Sequence, residues 1–208
     1  MATLTMPSTP GFASAEFGLI TNTQVFIGPL ESSAQTLELP GALWTVTYGL
    51  PLMTYDTAAP WQAFLLELMG PSGKFFGFDP VRTVPRGIYS SGSDTPLVNA
   101  ASQTGKTLTT DGWRNNGTGL LLPGDYFEVT ASAQKELHMI TASVDSNGTG
   151  VATMSFVPPL RSSPLNNAVI VVTDPVVEMR LIDDGQGGWD IGGKEFVQAL
   201  VFTGVEVF

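Results

Sequence analysis

The chain has 208 residues, of which 43% are apolar and only 13% charged, with 19 acidic against 9 basic side chains and a formal net charge of -10. Charged residues run at roughly half the share of about 25% found in ordinary soluble domains, so much of the surface is uncharged, as suits a subunit that buries its outer faces against neighbours. The acidic balance and the lack of any Lys/Arg run exclude the phosphate-binding face of a nucleic-acid binder, and the absence of cysteine excludes disulfides, thiolate metal sites and Cys nucleophiles.

Residues 1–16, rich in Thr, Ser, Pro and Ala, read as a flexible N-terminal arm that a partner would order. Met1 to Phe17 carries no basic stretch followed by an apolar one, and no apolar run nears the 18 or so residues of a membrane span, which leads us to expect an unprocessed cytoplasmic product. Strands are predicted over Gln24–Ile27, Ala34–Leu39 and Leu43–Leu50, separated by the turn signals Gly28-Pro29 and Pro40-Gly41. In the third, Trp44, Val46, Tyr48 and Leu50 alternate with Leu43, Thr45, Thr47 and Gly49, the period of a half-buried strand.

One helix is predicted from Thr57 to Met69, with Asp56 as N-cap, Pro60 in the first turn and Gly70-Pro71 as the stop. Trp61, Phe64, Leu65 and Leu68 recur at i, i+3, i+4 and i+7 and define the stripe that lies on a sheet. Lys74–Phe78 is expected to return the chain as a strand. Val81–Asn116 is polar, broken by Pro and Gly, and reads as a connection or insertion. Short strands follow at Gly119–Leu122, Tyr126–Thr130, Leu137–Val144, Val151–Phe156, Ala168–Thr173 and Val177–Ile182, a spacing that points to a small barrel. Asn147-Gly148 is expected to supply the positive φ angles of a tight hairpin. In the last segment, Leu200, Phe202 and Val205 are candidates for an inner face.

The fold expected is therefore mainly β, a β-sandwich or barrel domain with one amphipathic helix and an inserted small β-barrel. Its main β-domain takes residues 17–80 plus 175–208, and residues 81–174 form the connection and the inserted barrel.

Chemistry-bearing residues are few. His138, the only histidine, sits in an alternating stretch with no Ser- or Cys-nucleophile motif to partner it. Asp183, Asp184, Asp190 and Glu195 flank a Gly-rich loop with the oxygens a hard cation takes, but plain turns are the commoner role of such clusters. Glu128, Glu136 and Glu178 read as solvent-facing strand positions. Gly185-Gln186-Gly187-Gly188 lacks the Lys-Ser/Thr ending and the following helix of a phosphate loop. Asn116-Gly117-Thr118 and Asn147-Gly148-Thr149 match the glycosylation sequon, without a secretion signal to give it meaning. Trp113, Trp189 and Tyr126 are the aromatics to test as a sugar platform, against the blander role of plugging a core or interface. No catalytic, cofactor-binding or metal-ligating residue is assigned, and no enzymatic activity is expected.

Two stretches resemble tail-associated proteins of long-tailed, siphovirus-type bacteriophages and prophages. The first is Gln35-Thr36-Leu37-Glu38-Leu39-Pro40-Gly41-Ala42-Leu43-Trp44, followed by Trp61-Gln62-Ala63-Phe64-Leu65, Gly73-Lys74-Phe75 and Asp79-Pro80. The second is Thr110-Asp111-Gly112-Trp113, Leu122-Pro123-Gly124-Asp125-Tyr126-Phe127, Gly148-Thr149-Gly150-Val151-Ala152-Thr153 and Pro158-Pro159-Leu160-Arg161. Proteins with this pattern are similar to distal tail proteins. The resemblance implies a structural virion protein at the tail tip, made in the host cytoplasm, that forms a ring, usually hexameric, joining tail tube to hub and fibres. It implies no catalytic residue and no membrane partner; genomic DNA passes through the lumen without specific binding, repelled by carboxylates. The rivals are a tail tube or terminator subunit, set aside because no hairpin long enough to extend an inner sheet is legible, a carbohydrate-binding tail-tip module, and a phage hydrolase, for which no acid-base pair is legible.

Overall fold

The computed structural model describes residues 3–131, 134–192, 196–197 and 200–207. Its first strand, β1 (Ser14–Ile20), starts inside the expected arm and runs on into β2 (Thr23–Ile27); after the reversal at Gly28-Pro29, β3 (Ala34–Glu38) runs back into β4 (Leu43–Gly49). Ser14 pairs with Gly49 and Ile27 with Ala34. The two arms thus make one antiparallel hairpin, roughly 45 Å long at about 3.3 Å per residue. Pro40-Gly41, expected as a turn, only kinks it: Gly41 adopts φ 112°, and across the kink Leu39 N–H donates to Asn22 O at 2.8 Å. The expectation that the chain has no long hairpin is therefore wrong.

Residues 3–13 lie against their own chain. Leu4 N–H donates to Lys74 O at 2.8 Å, Phe76 N–H donates to Leu4 O at 3.0 Å, Met6 is buried and Phe12 stacks on Tyr48 at 4.3 Å.

After β5 (Met53–Thr54) comes α1 (Tyr55–Glu67), which begins two residues before Thr57. Thr54, with φ -70° and ψ 158°, is the N-cap position, not Asp56. Asp56 sits in the first turn instead, where its charge complements the helix dipole, and Pro60 lies inside the helix. The stripe Trp61, Phe64, Leu65 and Leu68 is buried as expected, at about 1.5–3 kcal/mol per side chain. Trp61 and Phe64 meet Phe202 at 6.1 and 6.4 Å, and Phe64 meets Phe75 edge-on at 5.9 Å. A short turn leads into β6 (Phe75–Gly77).

The segment Val81–Asn116 is not merely a connection. It holds β7 (Leu97–Val98) and β8 (Gly105–Asp111), followed by β9 (Tyr126–Ala131), β10 (Gln134–Ile140), β11 (Ala152–Leu160) and β12 (Ile170–Val171). These form one sheet in the order β12-β9-β10-β11-β8-β7, and Leu97 bridges Val169 so that its two edges meet in a nearly closed barrel. Leu108, Phe127, Val129, Ile140, Met154 and Phe156 pack inside.

Two local expectations fail here. Gly119–Leu122 is not a strand, apart from one bridge from Leu121 to Val144; adjacent Leu120 and Leu121 are both fully buried, which the alternation of a half-exposed strand forbids. The turn at Asn147-Gly148 is made without positive φ at either residue. The Asn147 carboxamide oxygen accepts from Thr149 N–H, Thr149 Oγ1 and Val151 N–H at 2.8–3.0 Å, and the left-handed residue is Gly150, φ 74°.

The chain returns through β13 (Val177–Leu181), β14 (Ile191–Gly192), β15 (Phe196–Val197) and β16 (Val201–Glu206). A five-stranded sheet, β1-β4-β16-β13-β6, carries the second core, and β14-β15-β5 form a small three-stranded sheet. Trp44, Val46, Tyr48 and Leu50 are buried in that core, as their alternation requires, and Leu200 and Phe202 join them. Val205 is buried too, but it pairs with Thr45 and so points to the opposite face.

One face of the five-stranded sheet is covered by α1 at one end and by the outside of β9 and β10 at the other. Tyr126 packs edge-on against Trp44 at 5.6 Å and Phe17 at 5.9 Å, and Trp44 Nε1–H donates to Leu137 O at 2.7 Å. β9 and β10 are thereby buried on both sides: Phe127 and Ile140 look into the barrel, Tyr126 and Leu137 into the sheet's core.

Candidate functional site

The outer half of the hairpin stands free of both cores. Every residue of β2 and β3 is exposed, including Val25 at 59%, Phe26 at 64%, Ile27 at 61% and Leu37 at 58%, with Leu30 at the tip 97% exposed. The cross-strand register puts Phe26 beside Gln35 and Gln24 beside Leu37 on one face, and Val25 beside Thr36 and Ile27 beside Ala34 on the other. Both faces are therefore partly apolar, and Glu38, opposite Thr23 on the second face, is the charged residue of the two strands. Monomeric proteins guard free strand edges with Lys, Pro or a bulge, yet residues 14–49 contain no Lys or Arg and three Glu. An ion pair ties β3 to the rest of the chain, Glu38 with Lys106 at 2.8 Å. A two-stranded ribbon with no covered face is marginal in water, so this element has the character of a docking segment. The sequence signal was present but ambiguous: Gln24–Ile27 and Ala34–Leu39 read as strands, while nothing in them marks which face is inner.

The carboxylates read as solvent-facing lie elsewhere. Glu128 and Glu136 are only 3% and 4% exposed: Glu128 pairs with Leu137 on the face of β9 and β10 that the five-stranded sheet covers, whereas Glu136 shares the barrel-side face of His138 and Ile140 and is covered by the segment after β11. Glu128 pairs with Lys135 at 2.7 Å and accepts from Val176 N–H at 3.0 Å. Glu136 accepts from Arg161 N–H at 3.0 Å, Ser162 N–H at 3.3 Å and Ser162 Oγ at 3.1 Å. Burial pushes its carboxyl up, but the His138 ring, the Arg161 amide and Ser162 outweigh burial and hold it below the ordinary carboxylate range. Glu178 is half-buried beside Lys74 at 3.2 Å.

Other buried charges serve the framework. Arg161 donates to Glu206 from Nη1 at 2.6 Å and Nη2 at 2.7 Å, and to Ala42 O at 2.7 Å; Glu206 also accepts from Trp44 N–H at 2.9 Å. Asp94 takes Arg114 at 2.6 Å together with the Arg114 and Ser90 amides. Burial raises its carboxyl, yet those donors together hold it below the usual range. Burial next to Asp79 pushes the Tyr126 phenol up to about 12.

His138 is buried between Phe127 at 5.1 Å and Phe156 at 4.7 Å, with Nδ1 2.8 Å from Pro158 O. Asp183 Oδ1 accepts from Gly185 N–H at 2.8 Å and Gln186 Nε2 at 3.0 Å, the geometry of a self-closed turn. Glu195 lies outside the described residues, among which no three His, Cys, Asp or Glu side chains come together as a metal site. Gln186 Oε1 accepts from Thr203 N–H at 2.9 Å, tying the Gly185–Gly188 loop to β16. Trp113 and Tyr126 do not form a platform with Trp189: Trp113 plugs the barrel, Tyr126 the sheet's core, and only Trp189 reaches the surface. An apolar recess of about 490 Å³ between the hairpin kink and β11 is walled by Pro40, Ala42, Pro158, Pro159 and Leu160, with Arg161 as its charged residue. Among the described residues no helix is long and apolar enough to cross a membrane. Compared with protein-family models and with curated proteins, the sequence matches none.

Proposed function

We propose that this protein is a structural subunit of a ring at the distal end of a long-tailed phage's tail, joining tail tube to hub and fibres. The reading is supported above all by the exposed hairpin. Val25, Phe26, Ile27, Leu30 and Leu37 stand in solvent on an unguarded two-stranded ribbon, and a second copy that covers them would remove both the apolar exposure and the open edges. The low overall charge favours the same kind of packing. Three Glu and no Lys or Arg over residues 14–49 favour a lumen that DNA slides through without adhering. The role is one of assembly, with no catalytic step and no bound cofactor.

The same hairpin favours a second reading, a tail-tube subunit. The two part on how assembly ends: a ring closes after about six copies, whereas tube subunits stack without limit. Negative-stain imaging of the purified protein separates them, discrete annuli supporting the first reading and long tubes the second. Uniformly monomeric particles would overturn both. The carbohydrate-binding alternative loses its platform, since two of its three aromatics are internal.

A further inference from the structure

Between β6 and β7 the chain runs along the barrel in a stretch whose residues alternate. Arg82, Val84, Arg86 and Ile88 are exposed, while Thr83, Pro85 and Gly87 between them are half-buried, the two-residue period of extended backbone. Val84 is 63% and Ile88 50% exposed, and Val81 at the start 85%. The inner side is fastened down. Asp174 N–H donates to Thr83 O at 2.6 Å and Ile88 N–H to Gly119 O at 2.9 Å, Arg86 N–H donates to Asp125 Oδ1 at 3.1 Å, and Gly87 presses so closely on Leu120 O that no Cβ fits. An apolar and basic stripe is thereby held in solvent ready-made, which lowers what a partner loses in ordering it.

The stripe begins at the root of the hairpin, where a cleft of about 420 Å³ is walled by Phe17, Asp79, Val81, Arg82, Tyr126 and Met139. The carboxylates here are engaged from within: the Asp125 side chain is 2% exposed against 58% for Arg86, and Asp79 Oδ1 accepts from Val81 N–H at 2.9 Å. From Pro80 to Ser93 the sequence has two Arg and no acid. The hairpin is its complement, apolar like the stripe but opposite in charge, with three Glu and no Lys or Arg over residues 14–49. Glu31 is exposed beside Leu30 at the tip. The ribbon carries that tip roughly 30 Å beyond Ile20, away from the stripe of its own chain.

We propose that the stripe Val81 to Ile88 is the seat for the hairpin tip of a second copy. The inference rests on the assembly reading and adds the surface that the hairpin meets. Ile27 and Leu30 lie on Val84 and Ile88, and Glu31 sits toward Arg82 and Arg86. Tip and seat are different surfaces at opposite ends of the hairpin, so the contact is head-to-tail and repeats from copy to copy.

The chain has no cysteine, so two introduced thiols report one contact. Leu30→Cys and Val84→Cys are combined in the full chain, and Leu30→Cys is paired with Leu165→Cys, exposed in the loop before β12, as the control. After mild oxidation, non-reducing electrophoresis should show a ladder of covalent multimers for the first pair and at least tenfold less for the control. In unlinked chains, Arg82→Glu should cut the multimer fraction at least tenfold by sedimentation, and adding Glu31→Arg should restore most of it. A wild-type multimer whose Leu30→Cys, Val84→Cys chains link no better than the control overturns the seat and leaves the assembly reading standing. So does a multimer indifferent to Arg82→Glu, which would give the stripe to some other partner. A monomeric wild type overturns the assembly reading and the seat with it.

Discussion

Glu206→Ala removes the carboxylate on which barrel and sheet converge. The Glu206 side chain is fully buried and the Arg161 side chain 17% exposed, so the substitution strips a desolvated guanidinium of two charge-assisted hydrogen bonds and Trp44 N–H of its acceptor. Breaking one partner of a buried ion pair costs about 3–5 kcal/mol, a large share of the roughly 5–15 kcal/mol that separates folded from unfolded chains. At about 2–4 °C per kcal/mol for a chain of this size, the melting temperature should fall by about 6–20 °C. Glu206→Gln keeps an acceptor for Trp44 N–H and should lose about half as much. The assay is thermal and urea denaturation followed by tryptophan fluorescence, since Trp44 and Trp61 report on one core and Trp113 on the other. A change below about 1 kcal/mol for Glu206→Ala would refute the inference that this pair is desolvated and joins the two halves.

Trp61→Ala should destabilise by about 3–5 kcal/mol, read as a drop in the urea midpoint, because Trp61 is fully buried against Phe202 and Phe12. Asp94 contributes stability that is present above the ordinary carboxylate range near pH 4 and lost as pH falls through its depressed value, since its native partners bind the charged form. Asp94→Asn should therefore be less stable than wild type at pH 7, and the gap should narrow as denaturation is repeated from pH 5 down to pH 3. Gly150→Ala forces a side chain into φ 74° and against the Trp113 carbonyl, at about 1–3 kcal/mol, measurable by differential scanning calorimetry.

Periodicity carried the parts of the fold where one face is buried and the other is not. Trp44, Val46 and Tyr48 on β4, and the Trp61 to Leu68 stripe on α1, were readable because alternation and i, i+3, i+4 spacing are imposed by one-sided burial. The same rule fails for β9 and β10, which are covered on both sides. Glu128 occupies a position that looks outward in a lone barrel and becomes internal only when the five-stranded sheet arrives from distant parts of the chain, whereas Glu136 shares the barrel-side face of His138 and Ile140 and is covered by Arg161 and Ser162. β8 was hidden by its composition: Lys106, Thr107, Thr109 and Thr110 around one Leu look like loop, although Thr is a good strand former. The hairpin was missed because Pro40-Gly41 carries the marks of a reversal, and only pairing of Ser14–Ile20 with Leu43–Gly49 shows that the chain continues straight.

Assembly through the hairpin is tested most directly by the solution mass of the 22.0 kDa chain beside that of a Val25→Lys, Phe26→Glu double variant. Both altered residues are exposed, one on each hairpin face, and touch neither core, so the variant should melt with the wild type in its monomeric form. Native mass spectrometry or sedimentation should find a discrete multimer for the wild type and a single chain for the variant. A monomeric wild type, or a variant that keeps the wild-type mass, would contradict the assembly role assigned to the hairpin.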